Sequence, residues 1–83
     1  MLNNVTLASR IVRIIRQVMP ALSSPGDLVV DANLYDAGLT SMAMVKLMLA
    51  IEIEFDVSIP DPDLHPNNFR SIRAIEALVK RLR

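Results

Sequence analysis

Apolar residues recur at helical spacing in three stretches of this chain, and the polar breaks between them mark out its elements. Over residues 5–19, Leu7, Ile11, Ile14, Ile15 and Val18 fall on one side and Arg10, Arg13 and Arg16 on the other. This pattern predicts an amphipathic first helix with a solvated arginine face. Pro20, Ser23, Ser24, Pro25 and Gly26 stop it. Residues 41–55 predict a second helix that opens at Ser41, a favoured N-cap residue, and meets no Pro or Gly before Asp56. A short third helix is expected after Asp61, with Asp61 as cap, Pro62 at the first helical position and Pro66 as its limit. Ser71 then caps a last helix over 71–82, whose buried stripe is Ile72, Ile75, Leu78, Val79 and Leu82. No segment alternates like a strand. The expected fold is all-α: one domain over 1–83, a bundle of three main helices and one short one.

The second helix carries two apolar faces. At about 100° per residue, Met44, Leu47, Met48, Ile51 and Phe55 share the core side. Met42, Val45, Leu49 and Ile53 form a separate stripe bordered by Lys46 and Glu52. In so small a bundle this second stripe reads as a partner-docking face that begins one residue after Ser41. The alternative is that the last helix or the long loop covers it. That loop, over 20–40, is long for a compact domain, and loops of this length are often functional. Leu28, Val29, Leu34 and Tyr35 are expected to pin it to the bundle, with Asp36-Ala37-Gly38 as a turn. Tyr35 and Phe69 read as core plugs.

Composition narrows the chemistry. Eighty-three residues bury too little for a deep catalytic cleft with its scaffold. There is no cysteine, so the chain has neither a disulfide nor a thiol of its own, and any thioester chemistry needs a thiol from an attached group. Formal net charge is zero but unevenly spread, with basic ends and an acidic centre. Aromatics are only 4% of residues, too few for base stacking, which argues against nucleic acid. No apolar run is long enough to span a bilayer, and the expected location is cytoplasmic. The acid-free, Arg-bearing opening also fits a mitochondrial transit peptide, but a structural first helix is the favoured reading. Asp61 and Asp63 lack a third ligand at useful spacing and read as helix caps rather than a metal site. His65 reads as a solvated loop residue. A serine hydrolase is a poor fit, because Gly38-Leu39-Thr40-Ser41-Met42-Ala43 lacks the second glycine of a nucleophile elbow.

The run Leu34-Tyr35-Asp36-Ala37-Gly38-Leu39-Thr40-Ser41-Met42 resembles the acyl carrier protein family. So do the helix ending Ile51-Glu52-Ile53-Glu54-Phe55-Asp56, the Ile59-Pro60-Asp61 that follows, and Phe69-Arg70-Ser71-Ile72. The resemblance covers nearly the whole chain. It implies that Ser41 carries 4′-phosphopantetheine, attached from coenzyme A by a phosphopantetheinyl transferase. It also implies a carrier that is not itself an enzyme. The placement is physically sound. A helix N-terminus offers free N–H groups and a positive dipole end to a phosphodiester, and Gly38 permits a tight turn before it.

Departures from the family narrow the reading further. Carriers of fatty-acid synthesis usually have Asp where this chain has Thr40, and they show acidic residues where it has Ala43, Lys46 and Ile53. Lys46 would repel a basic partner. The segment 34–75 is more similar to stand-alone aminoacyl carrier proteins. That similarity implies loading by an ATP-dependent amino acid:carrier protein ligase, with the aminoacyl group held as a thioester and passed to a downstream acceptor enzyme. Met42, Val45, Lys46 and Leu49 are the expected partner-binding residues. A monomer is expected for a shuttle that visits several partners. Two alternatives stay open: an acyl carrier for specialised lipid or polyketide synthesis, and an arm-free helical interaction module.

Overall fold

The computed structural model describes residues 6–19 and 30–83. Among these residues the chain forms three α-helices and two 3₁₀ turns: α1 (Leu7–Val18), α2 (Ser41–Phe55), turns at Asp61–Asp63 and Pro66–Phe69, and α3 (Ile72–Leu82). Helix α1 packs against both α2 and α3, and α3 packs against the second 3₁₀ turn. The expected pins Leu28 and Val29, and the breakers from Pro20 to Gly26, lie outside the described residues.

The core is aliphatic. Ile11 and Ile15 from α1, Leu47 and Ile51 from α2, and Ile75, Leu78 and Val79 from α3 are all fully shielded from solvent. Each such side chain contributes about 1.5–3 kcal/mol through burial. Leu82, expected in the stripe, is only partly buried at the end of α3. Ile11, Ile14 and Ile15 make α1 part of this core, as the structural reading of the first segment requires. Phe69 and Leu34 plug the loop side of the bundle.

Three expectations about local structure are corrected. The predicted short helix is a pair of 3₁₀ turns. Pro62 and Pro66 each lack an N–H donor, and their spacing leaves no room for a regular α-helix between them. Asp61 lies inside the first turn, whose cap position is Pro60. Asp63 accepts from Arg81 at 3.0 Å. His65 is exposed, as expected, but it also caps the second turn, its Nδ1 accepting from the Asn67 N–H at 3.1 Å.

The arginine face of α1 is also not wholly solvated. Arg10 is half-buried, donates to the Glu54 carboxylate at 2.9 Å and to the Glu54 carbonyl at 3.1 Å, and lies 4.5 Å from the centre of the Phe55 ring. A cation beside the last carbonyls of α2 also complements the negative end of that helix. Asp56 ends α2 in the left-handed conformation, φ 53° and ψ 52°, which Asp tolerates better than most residues. The half-buried Glu52 carboxylate accepts from the Ile59 N–H at 2.8 Å and ties the following segment back to α2.

Candidate functional site

The loop before α2 is built by backbone hydrogen bonds around two buried side chains, Leu34 and Leu39. Leu34 is fully buried, and its N–H donates to the Arg70 carbonyl at 2.7 Å. Asn33 Oδ1 accepts from the N–H groups of Tyr35 and Asp36, an Asx turn that starts the reversal. Leu39 closes the loop, its N–H donating to the Leu34 carbonyl at 2.9 Å. Gly38 has a φ of 114°, and a Cβ built there would meet nothing within 4 Å. Glycine is therefore required at this turn by conformation, not by space.

This loop delivers Ser41 as the first residue of α2, and not as its cap. Thr40 takes the cap position with extended dihedrals, and its Oγ1 accepts from the Ala43 N–H at 3.1 Å. The Thr40 carbonyl accepts from the Met44 N–H at 2.8 Å. Ser and Thr are both good caps, so adjacency in sequence does not tell them apart. The correction has a chemical consequence. The Ser41 hydroxyl is exposed and makes no hydrogen bond among the described residues, so it is available as an attachment point. The N–H groups of Ser41 and Met42 likewise have no acceptor among the described residues, and the first turn of α2 has no acidic residue. An anion at this end is favoured by roughly 0.3–1 kcal/mol. A phosphodiester on the Ser41 oxygen fits this arrangement.

The second stripe of α2 is open to solvent. Met42, Val45, Leu49 and Ile53 are 71, 48, 54 and 83% exposed, so neither α3 nor the described loop covers them. Lys46 is exposed beside them. The core side of the same helix behaves oppositely: Leu47, Ile51 and Phe55 are buried and Met44 and Met48 partly so. The exposed stripe begins next to Ser41 and runs down the helix.

The profile of the family described as "Phosphopantetheine attachment site" matches residues 9–79. The chain belongs to the phosphopantetheine attachment-site family. The prosthetic group of this family of carrier domains is 4′-phosphopantetheine, and the free first turn of α2 in this carrier domain fits it. Curated relatives include "Aminoacyl carrier protein 1" of Bradyrhizobium diazoefficiens, 38% identical over 76 residues, which span 92% of this chain and 84% of the relative. "Aminoacyl carrier protein" of Agrobacterium fabrum is 52% identical over 60 residues, 71% of this chain and 72% of the relative. Among solved structures, the carrier domain is similar to a chain in the crystal structure of Bradyrhizobium japonicum glycine:[carrier protein] ligase complexed with cognate carrier protein and an analogue of glycyl adenylate. That match has a TM-score of 0.80 at 36% identity and covers 90% of this chain and 96% of the other.

Two features of the site escaped sequence reasoning. Thr40 as cap is hidden by its neighbour Ser41, a residue type that ranks above Thr at this position. Tyr35 was expected only as a plug. It is half-buried, and its hydroxyl donates to the Pro66 carbonyl at 2.8 Å and lies 3.3 Å from Met44 Sδ. Neither partner is near it in sequence, so no local pattern announces the contact.

Proposed function

We propose that Ser41 receives the 4′-phosphopantetheine arm and that the protein carries an amino acid on it. The observation that carries the first part is the uncommitted Ser41 hydroxyl at the head of α2, beside two N–H groups with no acceptor among the described residues. When bound, the group supplies the terminal thiol that this cysteine-free chain lacks, and that thiol holds cargo as a thioester. The chain's own residues do the rest. Thr40 keeps the cap role away from Ser41, Gly38 turns the loop, and the first turn of α2 offers its dipole end to the phosphate.

The aminoacyl cargo is supported by the curated relatives and by the ligase complex. Partners in this reading are a phosphopantetheinyl transferase, an amino acid:carrier protein ligase and an acceptor enzyme, and this chain catalyses none of their steps. Met42, Val45 and Leu49 supply apolar contact to them, and Lys46 favours a partner with an acid at the matching point.

A loading assay tests the cargo. The arm-bearing protein is incubated with ATP, a glycine:carrier protein ligase and single amino acids, and its intact mass is read before and after hydroxylamine. A hydroxylamine-sensitive aminoacyl adduct supports the reading. Transfer of short or medium acyl groups from acyl-loading enzymes, with no amino acid accepted, would replace it with an acyl carrier.

A further inference from the structure

We propose that Tyr35 is a positioning residue for Ser41, clasping the attachment loop so that the serine is held ready for the transferase. The inference rests on the reading of Ser41 as attachment site. Tyr35 lies six residues before Ser41, and Met44 lies three residues after it. The Tyr35 hydroxyl touches Met44 Sδ at 3.3 Å and donates to the Pro66 carbonyl at 2.8 Å. One side chain thus joins the loop entering the site, the first turns of the helix leaving it, and the second 3₁₀ turn, which α3 packs against. The Asn33 turn, the Leu39-to-Leu34 bond and the Thr40 cap hold the loop locally, and the bond from Leu34 to Arg70 ties its upstream end across the fold. Within α2 beyond the serine, Thr40 accepts from the nearby Ala43 N–H, and Tyr35 reaches Met44 from farther back in the loop while also tying the loop to Pro66. Its phenol favours the neutral, donating form, because burial pushes its pKa above 10.0.

Tyr35→Phe keeps the ring and removes the two hydroxyl contacts. A neutral hydrogen bond is worth about 1 kcal/mol net, so the competent fraction of the loop falls by at most about fivefold. The test measures arm transfer from coenzyme A to the full-length arm-free chain, with magnesium and a broad-specificity phosphopantetheinyl transferase. Tyr35→Phe is expected to raise KM for the carrier about two- to fivefold with kcat nearly unchanged. It is also expected to speed amide exchange at Leu39. Arg10→Met is the control. It breaks the Glu54 and Phe55 contacts at the far end of α2, about 20 Å away along the helix, and should lower stability without moving KM. Met44→Leu, which keeps bulk but removes the sulfur acceptor, should move KM in the same direction by less.

An unchanged KM in Tyr35→Phe, or an equal rise in Arg10→Met, overturns the proposal. Modification that persists in Ser41→Ala overturns instead the reading it rests on, so the two failures are separable.

Discussion

Two substitutions two residues apart on α2 should have opposite consequences. Leu49 is 54% exposed on the second stripe, whereas Ile51 is fully buried between α2 and the rest of the core. Complete burial of a leucine is worth about 1.5–3 kcal/mol, so covering the open half of Leu49 in a complex contributes roughly 1 kcal/mol. Leu49→Ala should therefore weaken partner binding about fivefold. Its cost to folding is small, because alanine is the stronger helix former and little core contact is lost. Ile51→Ala opens a cavity in the core and should cost about 2–5 kcal/mol, a large share of the stability of a domain this size. The assay pairs urea unfolding with ligase-dependent loading at varied carrier concentration. Leu49→Ala should keep its unfolding midpoint and raise KM about fivefold. Ile51→Ala should lose midpoint and, where still folded, keep KM. Unchanged KM in Leu49→Ala, or unfolding as severe as in Ile51→Ala, would refute the docking role of the stripe.

Two further outcomes are expected. Thr40→Ala should destabilise the protein by about 0.5–2 kcal/mol through loss of the α2 cap, while Ser41→Ala stays within about 0.5 kcal/mol of the parent. The reverse order in thermal unfolding would make Ser41 the cap. Asp31, exposed and bonded to Arg73 at 2.6 and 3.3 Å, titrates below the ordinary 3.8, chiefly because that hydrogen bond favours its charged form. The depressed value means that the pair supports folding above about pH 3.8 and that its contribution is lost as pH falls through the folded-state pKa. Carboxyl-carbon NMR should find a midpoint below 3.8 that returns to the ordinary value in Arg73→Met.

What could be read from the sequence was what depends on period. Ile11, Ile14 and Ile15, and Ile72, Ile75, Leu78 and Val79, are buried as their spacing requires. The two faces of α2 separate as 100° per residue predicts, down to the exposed Met42, Val45, Leu49 and Ile53. The turn at Gly38 was also legible, since few residues tolerate its φ. What stayed hidden depends on contacts across the fold or on a choice between neighbours. Arg10 meets a carboxylate 44 residues away, and Tyr35 a carbonyl 31 residues away, and no local pattern reports either. Thr40 and Ser41 compete for one cap, and the loop geometry decides it. That decision is also the chemically important one, because the residue that loses the cap keeps its hydroxyl.

The most direct test of Ser41 as the attachment point is the intact mass of the full chain. It is measured before and after incubation with coenzyme A, magnesium and a phosphopantetheinyl transferase, in the parent and in Ser41→Ala. The account predicts one added phosphopantetheine in the parent and none in Ser41→Ala. An arm added to Ser41→Ala, or a folded parent left unmodified by a broad-specificity transferase and by one from its own source, would contradict it.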